Sequence, residues 1–229
     1  VLVPMKALPT AKSRLLEASA DIAAHARLVT AIREDTLAAA TAADGVARVV
    51  PVFDVPVFDV PVFDVPVFDL PVPLAPDSPE RWPVEDYYVQ QSPGLNAGLG
   101  EAAAWAAQRW PDDGVAALVG DLPALRPDEL SAALLAAAAQ PRAHVADEQG
   151  TGTTLLTARP REPLLPEFGP GSAARHHCAG AARLDAGPGL RLDVDTAADL
   201  RAAGLVGLGA ATATVLGEHG SPPVHLGTA

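Results

Sequence analysis

Short apolar runs alternate with longer stretches at helical spacing along this chain, the pattern expected of strands and helices layered in an α/β fold. Val1–Met5 is a short β-prone run. From Leu15 to Ala43 the apolar positions Leu15, Leu16, Ala20, Ile22, Ala23, Leu28, Ile32, Leu37 and Ala40 fit two helical segments or one bent helix, with Arg33 and Asp35 as surface charges. Val49–Asp54 supplies a second strand. Tyr87–Gln91 supplies a third, closed by Pro93–Gly94, and Leu95–Trp110 returns to helical spacing through Leu95, Leu99, Ala103 and Ala106. Pro127–Ala139 opens with Pro127, Asp128 and Glu129, which suit a helix N-terminus. Ala143–Ala146 is a further strand. Ala202–Leu216, interrupted by Gly204, Gly207 and Gly209, reads as a helix end followed by loop, and the chain after Gly217 as a frayed tail.

One stretch breaks the pattern. Val49–Leu70 repeats PVFDV from Pro51, Pro56 and Pro61, and PVFDL from Pro66. A proline every fifth residue removes a ladder donor each time, which rules out one central strand. The odd period sends Phe53, Phe58, Phe63 and Phe68 to alternating faces of any extended chain. Val49–Asp54 therefore fills the strand, and the remaining copies, with proline-rich Pro71–Glu85, form a low-complexity insertion. Its aspartates Asp54, Asp59, Asp64 and Asp69 read as solvating charges.

Chemistry concentrates where apolar runs end. Val115–Leu125, VAALVGDLPAL, is a buried run closed by Gly120, Asp121 and Pro123. This is a strand delivering one carboxylate to its C-terminal end, the edge where open α/β sheets bind ligands. A carboxylate there either caps the turn or holds a cation, and Mg²⁺ is the usual cation beside phosphates. In LRLDVDTAADL, from Leu190, Asp193 and Asp195 alternate with Val194, so on a strand both carboxylates share a face. Thr196 then starts a helix carrying Asp199. Together with Asp121, these make a divalent site the economical expectation.

Anion-holding candidates flank that site. Lys6, Lys12, Ser13 and Arg14, between the first strand and first helix, form either a phosphate site or a solvated helix start. Asn96, in the first turn of its helix, either caps it or presents its amide to a base edge. The loop GTGTTLL, Gly150–Leu156, offers glycine amides and the hydroxyls of Thr151, Thr153 and Thr154. In FGPGSAARHH, Phe168–His177, Ser172 has the chemistry of an N-cap, and Gly169 and Gly171 leave its amides open to a ligand. The adjacent His176 and His177 point to different faces of a helix, which disfavours their sharing a metal.

Composition narrows the partners. A formal net charge of −12 over 229 residues argues against nucleic acid or an anionic membrane, though a nucleotide needs only a few placed cations. Cys178 is the single cysteine, so no internal disulfide forms and a reducing cytoplasm fits. The segment VLVPMKALPTAK lacks the apolar core of a signal peptide. No obligate protein partner is evident.

Read in order, VPMKALPTAKSRL from Val3, GLNAGL from Gly94, GDLPAL from Gly120, DEQGTGTTLL from Asp147, FGPGSAARH from Phe168 and LDVDTAADL from Leu192 resemble the CofC/FbiD family. These are guanylyltransferases that activate a three-carbon phosphoacid in making the deazaflavin coenzyme F-420. The resemblance implies an α/β fold like that of nucleotide-diphospho-sugar transferases, a GT-A-like three-layer sandwich with a mixed, mostly parallel sheet. It would span residues 1–217 as one domain, with the repeat insertion at about 51–85 and the tail at 218–229. It implies that GTP and phosphoenolpyruvate, or 2-phospho-L-lactate, give a guanosine-diphosphate-linked acid and pyrophosphate. By the family pattern Asp121 and Asp195 hold Mg²⁺ with Asp193 as a helper, and Lys6, Lys12 and Arg14 steady the GTP phosphates. Asn96 lies near the nucleotide, and Thr154, Gly169 and Ser172 hold the phosphoacid, chiefly its carboxylate. Two rival readings are a molybdenum-cofactor-type GMP or CMP transferase, and a catalytically idle binding protein that uses the repeat as its surface.

Overall fold

The structure is a computed structural model that describes residues 1–5, 15, 22–53 and 87–218. In chain order the elements are β1 (Leu2–Met5), α1 (Ile22–Ala42), β2 (Val50–Phe53), β3 (Tyr88–Val89), α2 (Leu95–Arg109), β4 (Val115–Leu118), α3 (Pro127–Ala137), β5 (Arg142–Ala146), β6 (Thr153–Ala158), α4 (Ser172–Cys178), β7 (Ala182–Leu184), α5 (Pro188–Arg191), α6 (Ala197–Val206) and α7 (Ala210–Glu218). The strands form one sheet in the order β3-β2-β1-β4-β6-β5-β7. Only β6 runs against its neighbours, pairing antiparallel with both β4 and β5. Its first residue therefore lies at the same sheet edge as the last residues of β1, β4 and β5, so chain segments far apart in sequence converge there.

The pleat sorts the core into layers. Val3, Ala116, Leu118, Val145 and Leu155 face α1 and α3, meeting Leu37, Ala40, Leu130 and Ala133. Leu2, Ala117, Leu156 and Ala158 face the other way, against Leu99, Ala102 and Ala103 of α2. Strand neighbours thus feed opposite layers, as a period of two requires for a sheet covered on both faces. Each fully buried leucine contributes about 1.5–3 kcal/mol. A third cluster joins Leu28 and Ile32 of α1 to Leu200 and Ala203 of α6 and to Leu192 and Val194 between helices.

β2 accommodates the first repeat proline inside the sheet. Val50 donates to the Val1 carbonyl at 2.8 Å, so Pro51 turns its nitrogen to the β3 side, where the register begins only at Val52. No ladder bond is lost there. The later repeat copies and the proline-rich stretch to residue 86 lie outside the described residues, as do Lys6, Lys12, Ser13, Arg14 and the segment from 219.

Three sequence expectations are corrected. Asp35 is a buried cap rather than a surface charge: its Oδ1 and Oδ2 accept from the amides of Ala211 and Thr212, at 3.0 and 2.8 Å, in the first turn of α7. Arg33 is half-buried near Asp121. Ala202–Leu216 is not a helix end and loop but two helices, α6 and α7, broken at Gly207–Gly209 and bent by 118°. Among the described residues no single helix is long and apolar enough to cross a membrane.

Candidate active site

Asp121 stands just beyond β4, at the edge where the strands converge. Gly120 brings it there against β1: a Cβ on Gly120 would lie 3.2 Å from the Pro4 carbonyl oxygen and 3.3 Å from Val3 Cγ1. The turn is pinned from α1, where the buried Thr36 hydroxyl donates to the Ile32 carbonyl and accepts from the Leu122 amide, both at 3.0 Å. A helix hydroxyl thereby satisfies a turn amide that burial would otherwise orphan. Burial pushes the pKa of the Arg33 guanidinium down, and the nearby Asp121 carboxylate opposes that shift.

The second acidic segment meets the first. The Val194 amide donates to the Asp121 carbonyl at 3.0 Å. Val194 is fully buried, whereas Asp193 is half-buried and Asp195 exposed, so the carboxylates flank an inward-facing anchor. Asp193–Asp195 is not the strand its alternation suggested; it is irregular chain between α5 and α6. Its pairing partner is the carbonyl of a turn, which forms no ladder. Thr196 caps α6 in a capping box with Asp199, whose Oδ2 accepts from the Thr196 and Asp195 amides at 2.8 and 3.2 Å. The main chain of Asp195 is therefore held while its side chain faces solvent.

The two small-residue loops interlock beside this pair. Asp147 ends β5, and its carboxylate accepts from the amides of Thr151 and Gly152, both at 2.8 Å. Those amides, expected to face an anion, are taken by the loop's own carboxylate. Thr154 follows, its main-chain carbonyl accepting from Val119 at 3.0 Å and its Oγ1 buried without a hydrogen-bond partner.

The FGPGS loop is clasped from several sides. The Asn96 amide donates through Nδ2 to the Phe168 carbonyl at 3.0 Å and accepts through Oδ1 from the Phe168 amide at 2.7 Å. Asn96 is thus not the cap of α2; Gly94 is the N-cap residue there and no side chain caps it. Any base contact by Asn96 competes with those two bonds. Arg175 reaches back to the carbonyls of Pro170 and Glu167. Gly169 and Gly171 adopt φ of 119° and 73°, a region that favours glycine. Ser172 is the first residue of α4 rather than its N-cap, which is Gly171. Its amide donates to Gly169 and the Ala173 amide to Thr151, so these amides are not open to a ligand. The Ser172 hydroxyl, buried, donates to Thr153 Oγ1 at 3.2 Å, the same atom that lies 2.9 Å from His176 Nδ1.

Thr154, Gly169 and Ser172 are thus brought together, and a direct main-chain bond links Thr154 to the chain running into Asp121. Lys6, Lys12 and Arg14 lie outside the described residues, beyond the end of β1. Among the described residues no three or more His, Cys, Asp or Glu side chains are grouped to hold a metal. Sequence reasoning missed Thr36, Thr153 and His176 as structural members of this edge. It also missed Arg191, which donates to the carbonyls of Ala146, Asp147 and Glu148 and ties α5 to the end of β5. Their signal is faint in sequence: each is a single polar residue on an otherwise apolar or loop-forming stretch.

No family model matches the chain. A solved protein from Desulfovibrio desulfuricans G20 assigned as a nucleotide-diphospho-sugar transferase has the same fold, with a TM-score of 0.65 and 17% identity, covering 95% of this chain and 93% of that one. A CMP:2-keto-3-deoxy-manno-octonic acid synthetase solved with CTP aligns at a TM-score of 0.50 and 17% identity, covering 89% of this chain and 96% of its own. Sequence relatives are nearer. The phosphoenolpyruvate guanylyltransferase of Streptomyces scabiei is 46% identical, covering 93% of both chains, and that of Geodermatophilus obscurus is 45% identical over 97% of this chain and 95% of its own. The same-named protein of Streptomyces coelicolor is 43% identical over 94% of each. Identity at that level along nearly the whole length places this chain in the phosphoenolpyruvate guanylyltransferase (CofC) family.

Proposed function

We propose that the chain condenses GTP with phosphoenolpyruvate. An oxygen of the phosphoenolpyruvate phosphate attacks the α-phosphorus of GTP, the bond from that phosphorus to the bridging β-phosphate oxygen breaks, and pyrophosphate leaves with the guanosine-diphosphate-linked enolpyruvate as product. The substrate phosphate is itself the nucleophile, so the protein's task is alignment and neutralisation of charge. The observation that carries the reading is the Val194–Asp121 main-chain bond, which sets two acidic segments side by side next to the FGPGS and GTGTT loops. The naming of the relatives favours this acceptor over a molybdenum-cofactor substrate and over an idle scaffold.

Asp121 and Asp195, with Asp193 beside them, would hold Mg²⁺. The donor set fits: Mg²⁺ prefers hard oxygen ligands and is commonly held by one or two carboxylates plus substrate phosphates, so a larger protein cage is not required. When bound, it supplies positive charge against the phosphate oxygens of the two anionic reactants. Lys6, Lys12 and Arg14 would steady the GTP phosphates, Lys12 nearest the chemistry, and Asn96 would lie near the nucleotide. Thr154, Gly169 and Ser172 would hold the carboxylate end of phosphoenolpyruvate. The buried, unsatisfied Thr154 hydroxyl supports that role, because an orphaned hydroxyl costs about 1–3 kcal/mol until something bonds it. A cytoplasmic setting suits a nucleotide-using enzyme whose single cysteine is a free, exposed thiol. The test is pyrophosphate release. It should require GTP, phosphoenolpyruvate and Mg²⁺ together, and release at the same rate without the phosphoacid would refute the reading.

A further inference from the structure

We infer that His176 is a positioning residue for the phosphoacid: its ring ties Thr153, at the start of β6, to Glu167, at the head of the FGPGS loop, and leaves the Ser172 hydroxyl proton available to the substrate. The inference rests on the assignment of Thr154, Gly169 and Ser172 to that substrate. The Glu167 amide donates to His176 Nε2 at 2.9 Å, so Nε2 carries no proton. The neutral ring then bears its proton on Nδ1, which points it at Thr153 Oγ1 at 2.9 Å. Burial keeps the ring in this neutral form, lowering its pKa to about 4, with His144 and Arg175 adding to the shift.

Two donors therefore converge on one oxygen, Nδ1–H of His176 and the hydroxyl of Ser172 at 3.2 Å. Because the ring already supplies Thr153 with a donor, Ser172 can turn its proton toward a carboxylate without orphaning a buried oxygen. The ring is fixed in turn: it is 1% exposed and stands edge-on to Phe168 at 5.2 Å between centroids. His176 touches neither substrate in this account. It sets the spacing between the residues immediately beside the substrate-holding positions, Thr153 next to Thr154 and Glu167 two before Gly169.

The test compares His176→Phe, which loses both ring bonds, with His176→Asn, whose side-chain amide can restore the donor to Thr153. His176→Phe should raise the KM for phosphoenolpyruvate about tenfold and leave the KM for GTP within about twofold. His176→Asn should recover part of that loss. Equal changes in both KM values, no change in either, or no recovery in His176→Asn would overturn the inference. Ser172→Ala separates it from the reading beneath: a raised phosphoenolpyruvate KM there with an unaltered His176→Phe removes only the positioning role, whereas an unaltered Ser172→Ala removes the acid-site assignment as well. Should His176→Phe not fold, ¹⁵N imidazole spectra of the unsubstituted protein at pH 7 decide, with a neutral Nδ1-protonated ring expected and an Nε2-protonated or charged ring contradicting it.

Discussion

The Val194 amide reaches the Asp121 carbonyl across 3.0 Å, joining the turn after β4 to the acidic segment before α6. The bond is between main chains, so replacing the neighbouring carboxylates should leave it standing. Asp121→Asn and Asp195→Asn should each lower turnover about 100-fold or more while thermal melting stays near that of the parent, because charge beside the reacting phosphates is lost and the fold is not. Pyrophosphate release measured across a Mg²⁺ titration checks this, with the variants expected to need more Mg²⁺ for half-maximal rate.

Asn96→Ala removes two hydrogen bonds that clasp α2 to Phe168. A loss of about 1–3 kcal/mol in unfolding free energy is expected, with a rise in the phosphoenolpyruvate KM as the FGPGS loop loosens. Urea denaturation and initial-rate kinetics on the same preparation measure both.

Gly152→Ala should be costly for a different reason. A Cβ there would run into the Asp147 carboxylate, which two amide bonds hold in place. Stability should fall by about 1–3 kcal/mol, and Asp147→Asn in the same background should not restore it, since the collision is steric. Chemical denaturation of the single and double variants tests this.

Much of the fold was legible in the sequence because α1, α2 and α3 carry apolar faces at helical spacing, and β4 is a short apolar run with a carboxylate at its end. The site was legible where function sits at such ends, as at Asp121. It was not legible where a polar side chain acts across the sheet: Asn96 and Phe168 are 72 residues apart, and Thr36 and Leu122 are 86 apart. The alternation of Asp193, Val194 and Asp195 correctly implied that Val194 faces away from both carboxylates. It could not reveal that the partner of Val194 is a turn carbonyl, because a single hydrogen bond leaves no periodic trace. Asp35 was misread for a related reason, since the helix it caps begins 175 residues further along the chain, at Ala210.

Acid should weaken the protein through its buried rings. Burial lowers the pKa of His144 and takes that of His176 from 6.5 to about 4, with His144, Arg175 and His177 among the nearby charges. The unfolded chain then binds protons first, so the stability these rings confer is complete above pH 6.5 and is lost as pH falls toward 4. Melting temperatures taken across pH 7.5 to 4.5 should fall for the unsubstituted protein and fall less steeply for His176→Gln. Parallel curves would show that His176 does not titrate in this way.

Mass analysis of the guanosine-containing product is the most direct measurement, made after phosphoenolpyruvate, 2-phospho-L-lactate and 3-phosphoglycerate are offered in equal amounts with GTP and Mg²⁺. The enolpyruvyl-diphosphoguanosine adduct should dominate, and it should vanish with Asp121→Asn. Free GMP or GDP alone, or an adduct of another acceptor in excess, would contradict transfer of guanylate to phosphoenolpyruvate.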